Sequence, residues 1–110
     1  MLLRKPHLIF ASVIKDFGNK MAADLFHKGS CKGLPRQFWK RAIHLLEVME
    51  AVESLEDLKS KGFPPSVRPH PLSRERKGEY AIDIHKTSGW RITFRFVDNE
   101  FGDVKIENYH

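Results

Sequence analysis

The sequence predicts an α+β domain: an antiparallel sheet with two N-terminal helices packed on one face. Apolar residues recur at helical spacing between residues 20 and 52, and the period switches to two from residue 67 onward. The later segments are joined by connectors of turn length, which suit hairpins rather than crossovers. At 110 residues the chain supports one domain with one modest core.

Val13, Ile14 and Phe17 favour extended backbone and Gly18-Asn19 ends the run, so 13–17 is expected as a short strand. Over 20–28, Met21, Leu25 and Phe26 share one helical face, and Gly29 suits the C-terminal cap. After a loop at 29–34 comes the clearest helix, 35–52. Pro35 fits its first turn, where a missing N–H loses no intrahelical bond. Phe38, Ala42, Leu45, Leu46, Met49 and Val52 form its apolar stripe, with Lys40, Arg41, His44, Glu47 and Glu50 largely off it. A short helical turn is expected at 54–58, broken by Gly62, Pro64 and Pro65.

The strands follow. Tyr80, Ile82 and Ile84 alternate with Ala81, Asp83 and His85. Trp90, Ile92, Phe94 and Phe96 alternate with Arg91, Thr93, Arg95 and Val97, and Val104 and Ile106 with Lys105 and Glu107. Residues 86–89 and 98–102 are the connectors, giving an antiparallel meander. One strand face packs under the helices, so Arg91, Thr93 and Arg95 are expected on the open one. Cations on an open face of a chain with net charge +5 suit a polyanionic or acidic partner.

Cys31 is the sole cysteine, which rules out an intrachain disulfide and a Cys-based zinc cluster and fits a reducing cytoplasm. The apolar run near the N-terminus is short and bracketed by His7 and Lys15, so neither a signal peptide nor a membrane span is expected. The chain lacks GxGxxG, GxxxxGK[ST] and HExxH, which argues against dinucleotide, P-loop and zincin chemistry; neither metal nor cofactor is expected.

Of six histidines, His70 and His110 stand out. His70 lies between Pro69 and Pro71, which restrict the backbone. His110 follows Asn108 and Tyr109, and the cationic loop Ser73-Arg74-Glu75-Arg76-Lys77-Gly78 lies between the two histidines. Two imidazoles, a phenol and several cations could form a metal-free ribonuclease site. A base removes the ribose 2′-OH proton, an acid protonates the departing 5′-oxygen, and cations stabilise charge on phosphorus. Histidine suits both proton roles because its ordinary pKa of ~6.5 lies near working pH.

The segments Arg68-Pro69-His70-Pro71-Leu72, Arg76-Lys77-Gly78, Gly89-Trp90-Arg91-Ile92-Thr93-Phe94-Arg95-Phe96 and Asn108-Tyr109-His110 resemble the HigB-type toxins of the RelE/ParE superfamily. Val13-Ile14-Lys15-Asp16-Phe17 is similar to their opening strand. The resemblance covers 13–110 and leaves 1–12 as an N-terminal extension. It implies a compact RelE-like fold, a cytoplasmic toxin that cleaves mRNA on the ribosome, and a helix-turn-helix, HigA-like antitoxin as partner. By matching position, it implies catalytic roles for His70, Tyr109, His110 and Arg91. It makes Arg76 and Arg91 phosphate-holding cations, with Lys77 a weaker one, and Arg74 and Arg95 extend that cationic set. Two positions depart from the pattern: Ser73 stands where the family has lysine, and Asn108 where it has aspartate. Arg74 can replace the missing cation, and Asn108 and Ser73 can orient by hydrogen bonds. The alternatives are a non-nuclease toxin of the superfamily, or a degenerate toxin that only binds its antitoxin.

Overall fold

The computed structural model describes residues 14–52 and 69–109. The expected helical turn at 54–58, the 1–12 extension, Arg68 and His110 lie outside the described residues. Two helices, α1 (Lys20–Lys28) and α2 (Trp39–Ala51), precede four strands: β1 (His70–Pro71), β2 (Glu79–His85), β3 (Trp90–Val97) and β4 (Glu100–Asn108). The strands form one antiparallel sheet in the order β1-β2-β3-β4. Together they make the α+β architecture expected of a RelE-like fold.

Asn19 starts α1 and joins it to the sheet. Its backbone is extended and its Oδ1 accepts from the Ala22 N–H at 3.1 Å, which satisfies an orphan donor of the first turn. The same amide donates to the Ile106 carbonyl at 2.9 Å. Gly29 ends the helix with φ 78°, a left-handed conformation that needs no Cβ, and its N–H returns to the Leu25 carbonyl.

The second predicted helix opens as a 3-10 turn (Arg36–Phe38) before α2. Pro35 therefore stands just ahead of the first turn, with ψ 137°, and its carbonyl accepts from the Phe38 N–H. Ala42, Leu45, Leu46, Met49 and Val52 of the predicted stripe are buried, and Phe38 packs at the edge of the core. These residues, with Ala22 and Leu25 of α1, cover Ile82, Ile84, Ile92, Phe94, Val104 and Ile106 of the sheet. Each large apolar side chain so buried contributes about 1.5–3 kcal/mol. Phe94 and Phe101 meet edge to face at 5.1 Å.

The opening strand takes a reduced form. Ile14 and Phe17 make isolated parallel bridges to Phe101 and Val104, beyond β4. The connector expected at 98–102 is shorter than that. Asp98 and Asn99, at φ 54° and 64°, make a two-residue hairpin turn, so β4 begins at Glu100 and Phe101 belongs to the core. The pairing of β2 with β3 is irregular between Asp83 and His85. His85 therefore does not continue the row of Ala81 and Asp83, and its ring stacks on Phe38 at 4.8 Å beside α2.

Candidate active site on the helix-free sheet face

Register sets the face away from the helices. His70 pairs with Ala81, Ala81 with Thr93, and Thr93 with Lys105. The next row is Asp83, Arg91 and Glu107, and Glu79 faces Arg95. The arginine strand thus points where alternation predicts, but the face is not open along its length. Arg91 is 7% exposed and Thr93 is fully buried; Arg95 remains exposed. The expectation that all three project into solvent fails because side chains of the 74–76 turn and β4 close over the middle of the strand.

The cover is an ionic network. Arg76, on the 3-10 turn Arg74–Arg76, donates from Nε and Nη2 to the two oxygens of Glu79 at 3.1 and 2.6 Å. Its Nη1 and Nη2 also donate to Glu107. Glu107 in turn accepts from Arg91 Nη2 at 3.1 Å. The hydrogen bond from Arg76 holds the Glu79 carboxyl below its ordinary value against the opposing effect of burial, and Lys105 and Arg95 add to the lowering. Burial acts to raise Glu107, but hydrogen bonds from Arg76 and Arg91 outweigh it and the net shift is downward. Both carboxylates are therefore charged at neutral pH, and three of the predicted phosphate-holding cations, Arg76, Arg91 and Arg95, already have anionic partners.

Arg91 keeps one unfilled donor. Its Nε is buried and has no hydrogen-bond partner among the described residues. The Tyr109 ring lies over its guanidinium, with the Arg91 carbon 4.3 Å from the ring centroid. Tyr109 is held from behind by its own N–H, which donates to the Gly89 carbonyl at 2.7 Å. Asn108 Nδ2 donates to the Ser88 carbonyl at 3.2 Å. The amide at 108 thus fixes β4 to the β2–β3 turn and orients Tyr109 through the backbone.

Arg91 and Tyr109 line a cleft of about 920 Å³ with His70, Leu72, Ser73, Arg74, Glu75, Arg76, Asp83, Lys86 and Gly89. The structure therefore brings His70, Ser73, Arg74, Arg76, Arg91 and Tyr109 of the predicted set together. Lys77 and Arg95 are not among the lining residues, and Arg95 lies 3.7 Å from Glu79. Sequence reasoning missed Lys86, which extends from the β2–β3 turn, and the carboxylates Asp83, Glu79 and Glu107. Their alternation with core residues marked Asp83 and Glu107, but their partners depend on register, which alternation does not give. Chemically, the cleft offers an imidazole, a largely buried guanidinium, an aromatic face and two exposed cations, Arg74 and Lys86. That set suits binding a phosphodiester and moving protons around it. Among the described residues, no three His, Cys, Asp or Glu side chains are grouped to hold a metal ion. No helix among them is long and apolar enough to cross a membrane.

No family model matches the chain. A curated relative, Endoribonuclease HigB of Proteus vulgaris, is 30% identical over 98 residues, an alignment spanning 89% of this chain and 100% of that protein. With the motifs, the α+β fold and the cleft in agreement, the chain belongs to the HigB family of endoribonuclease toxins.

Proposed function

We infer that the protein is a toxin endoribonuclease that cuts mRNA on the translating ribosome through the ribose 2′-oxygen, without a metal ion. The observation that carries this is Arg91: a buried guanidinium on the floor of the cleft, with a free Nε donor and Tyr109 over its face. A fixed, desolvated cation of this kind favours the phosphorane, whose charge exceeds that of the substrate diester. His70 lines the same cleft and removes the 2′-OH proton. His110, next in the chain after Tyr109, protonates the leaving 5′-oxygen. The products are a 2′,3′-cyclic phosphate and a 5′-hydroxyl. Tyr109 stacks on a base or orients the scissile phosphate. Arg74 holds a neighbouring phosphate, with Lys77 and Arg95 steering from outside the cleft. Arg76 acts indirectly, since carboxylates occupy its donors.

The ribosome supplies most of the substrate positioning, because a chain of 110 residues and charge +5 has a small footprint for a single strand. A helix-turn-helix antitoxin is the partner that restrains the toxin, in the cytoplasm. Residues 1–12 form an extension outside the toxin domain.

The test is ribosome pelleting alongside single-turnover cleavage and mapping of product ends. Arg91→Ala and His110→Ala should pellet normally and lose cleavage. Normal cleavage by folded Arg91→Ala moves the site elsewhere, and 5′-phosphate ends require a different reaction. A toxin that has lost cleavage is the second reading, favoured by Asn108, which offers no carboxylate; intact mRNA after induction would select it.

A further inference from the structure

We propose that Asp83 is a positioning residue that fixes His70 in the tautomer able to accept the ribose proton. This rests on the ribonuclease reading above. His70 pairs across β1 and β2 with Ala81, so Asp83, two residues further along β2, is its diagonal neighbour on the same face. Diagonal pairs are within reach of long side chains when the residue between them is small. Ala81 presents only a methyl group there, and His70 Nε2 lies 3.9 Å from Asp83 Oδ2.

The surroundings single out this carboxylate. Glu79 and Glu107 are saturated by arginines. Asp83 and Glu75 are the remaining carboxylates lining the cleft, and among the described residues His70 is the charged-range partner of Asp83. His70 is about half exposed, so its other nitrogen is open to substrate. The pairing irregularity begins immediately after Asp83, where such irregularities re-aim side chains.

The chemistry follows from the imidazole. A separation of 3.9 Å is longer than a hydrogen bond, and a small ring rotation brings the two groups within hydrogen-bond range when substrate binds. With its Nε2–H directed at Asp83, neutral His70 carries its free lone pair on Nδ1. Nδ1 takes the 2′-OH proton as the 2′-oxygen bonds to phosphorus. The P–O5′ bond breaks and that oxygen takes a proton from the general acid. Asp83 then faces the imidazolium that His70 has become, as a carboxylate faces the histidine base in hydrolases, here through Nε2 rather than Nδ1.

The experiment is single-turnover cleavage on programmed ribosomes for His70→Ala, Asp83→Ala, Asp83→Asn and the double variant His70→Ala with Asp83→Ala. Asp83→Ala should cut roughly tenfold to a hundredfold more slowly with ribosome pelleting unchanged. Asp83→Asn should fall between, since its amide oxygen still accepts from Nε2 but brings no charge. The double variant should be no slower than His70→Ala alone, because Asp83 acts only through the imidazole. Losses that multiply in the double variant overturn the proposal. So does wild-type cleavage by Asp83→Ala beside an inactive His70→Ala, which leaves the ribonuclease reading standing. Normal cleavage by His70→Ala sinks that reading itself. A ¹⁵N spectrum of the His70 ring gives a second measurement: Nε2-protonated in the native protein and a tautomer mixture in Asp83→Ala. An unchanged ratio overturns the assignment.

Discussion

The guanidinium carbon of Arg91 lies 4.3 Å from the centroid of the Tyr109 ring, so one side chain of the C-terminal segment closes over the buried cation of the cleft floor. Arg91 also meets Glu107, two residues before Tyr109 and near the end of β4. The end of β4 and the residue that follows it therefore supply both the anion that holds the arginine and the ring that covers it. Glu107 also accepts from Arg76, which grips Glu79 at the start of β2. The cleft floor is thus tied across three strands by charged groups, which resist displacement only if all of them remain paired.

The first prediction concerns Tyr109. A cation–π contact between a buried guanidinium and a largely exposed ring contributes about 0.5–2 kcal/mol. Tyr109→Ala should lower stability by about that amount in urea melts and should slow cleavage by releasing Arg91. Tyr109→Phe keeps the ring and should retain the stability. If Phe cleaves as poorly as Ala, the phenolic oxygen matters to the reaction and the ring's cover of Arg91 does not.

Acid should loosen this network in a definite direction. Glu79 and Glu107 have carboxyls held below the ordinary 4.5 in the folded chain. Unfolding returns them to the ordinary value, so between the two values the unfolded chain binds more protons. Their stabilisation is present in full above about 4.5 and is lost as pH falls through the depressed folded values. The melting midpoint, followed from neutral pH downward, should hold and then drop on entering that window. Glu107→Gln should remove part of the drop. A full acid transition in Glu107→Gln would assign it to other carboxylates.

The contrast between what periodicity reveals and what it hides is sharp at this network. The 3.6 and 2.0 periods marked both helices, three of the strands and the face that Arg91 occupies, because those follow from which residues are apolar. Which charges meet is set by register. Glu107 faces Arg91 because the 98–99 turn sets the register near the hairpin and an irregularity between Thr93 and Arg95 then shifts it by one residue; neither follows from alternation, which assigns Phe101 to the connector. His85 left its row at an irregularity that no residue type announces. The motif residues His70, Ser73, Arg74, Arg76, Arg91 and Tyr109 were legible as a set and do share the cleft, whereas Asp83 and Lys86 fall outside the motifs.

Phe101 offers a core test independent of the site. It is fully buried, packs edge to face on Phe94 and tilted on Phe96, and its carbonyl accepts from the Lys15 N–H at 2.7 Å. Phe101→Ala should cost about 3–5 kcal/mol through lost burial and the cavity left behind. Thermal or urea unfolding measures it. A loss under about 1 kcal/mol would mean that residue 101 sits in a loop, as the sequence pattern suggested.

Arg74 is where stability and function should pull apart. It lines the cleft with φ 59°, in the left-handed region, on a 3-10 turn closed by the Lys77 N–H, which donates to its carbonyl. A residue bearing a Cβ is strained there by about 1–3 kcal/mol. Arg74→Gly removes that strain but enlarges the conformational freedom of the unfolded chain, which costs about 0.4–1 kcal/mol. The relief is the larger, so the variant should be more stable by about 0.5–1 kcal/mol. If Arg74 also holds a phosphate next to the one being cleaved, the same change should weaken binding of an uncleavable single-stranded RNA. The slope of log K against log salt should then shrink by about 0.7, the release expected for one phosphate contact on a single strand. Fluorescence anisotropy across a salt series measures that slope, and urea melts measure the stability. A more stable variant with an unchanged salt slope would make Arg74 a strained surface residue without a phosphate to hold.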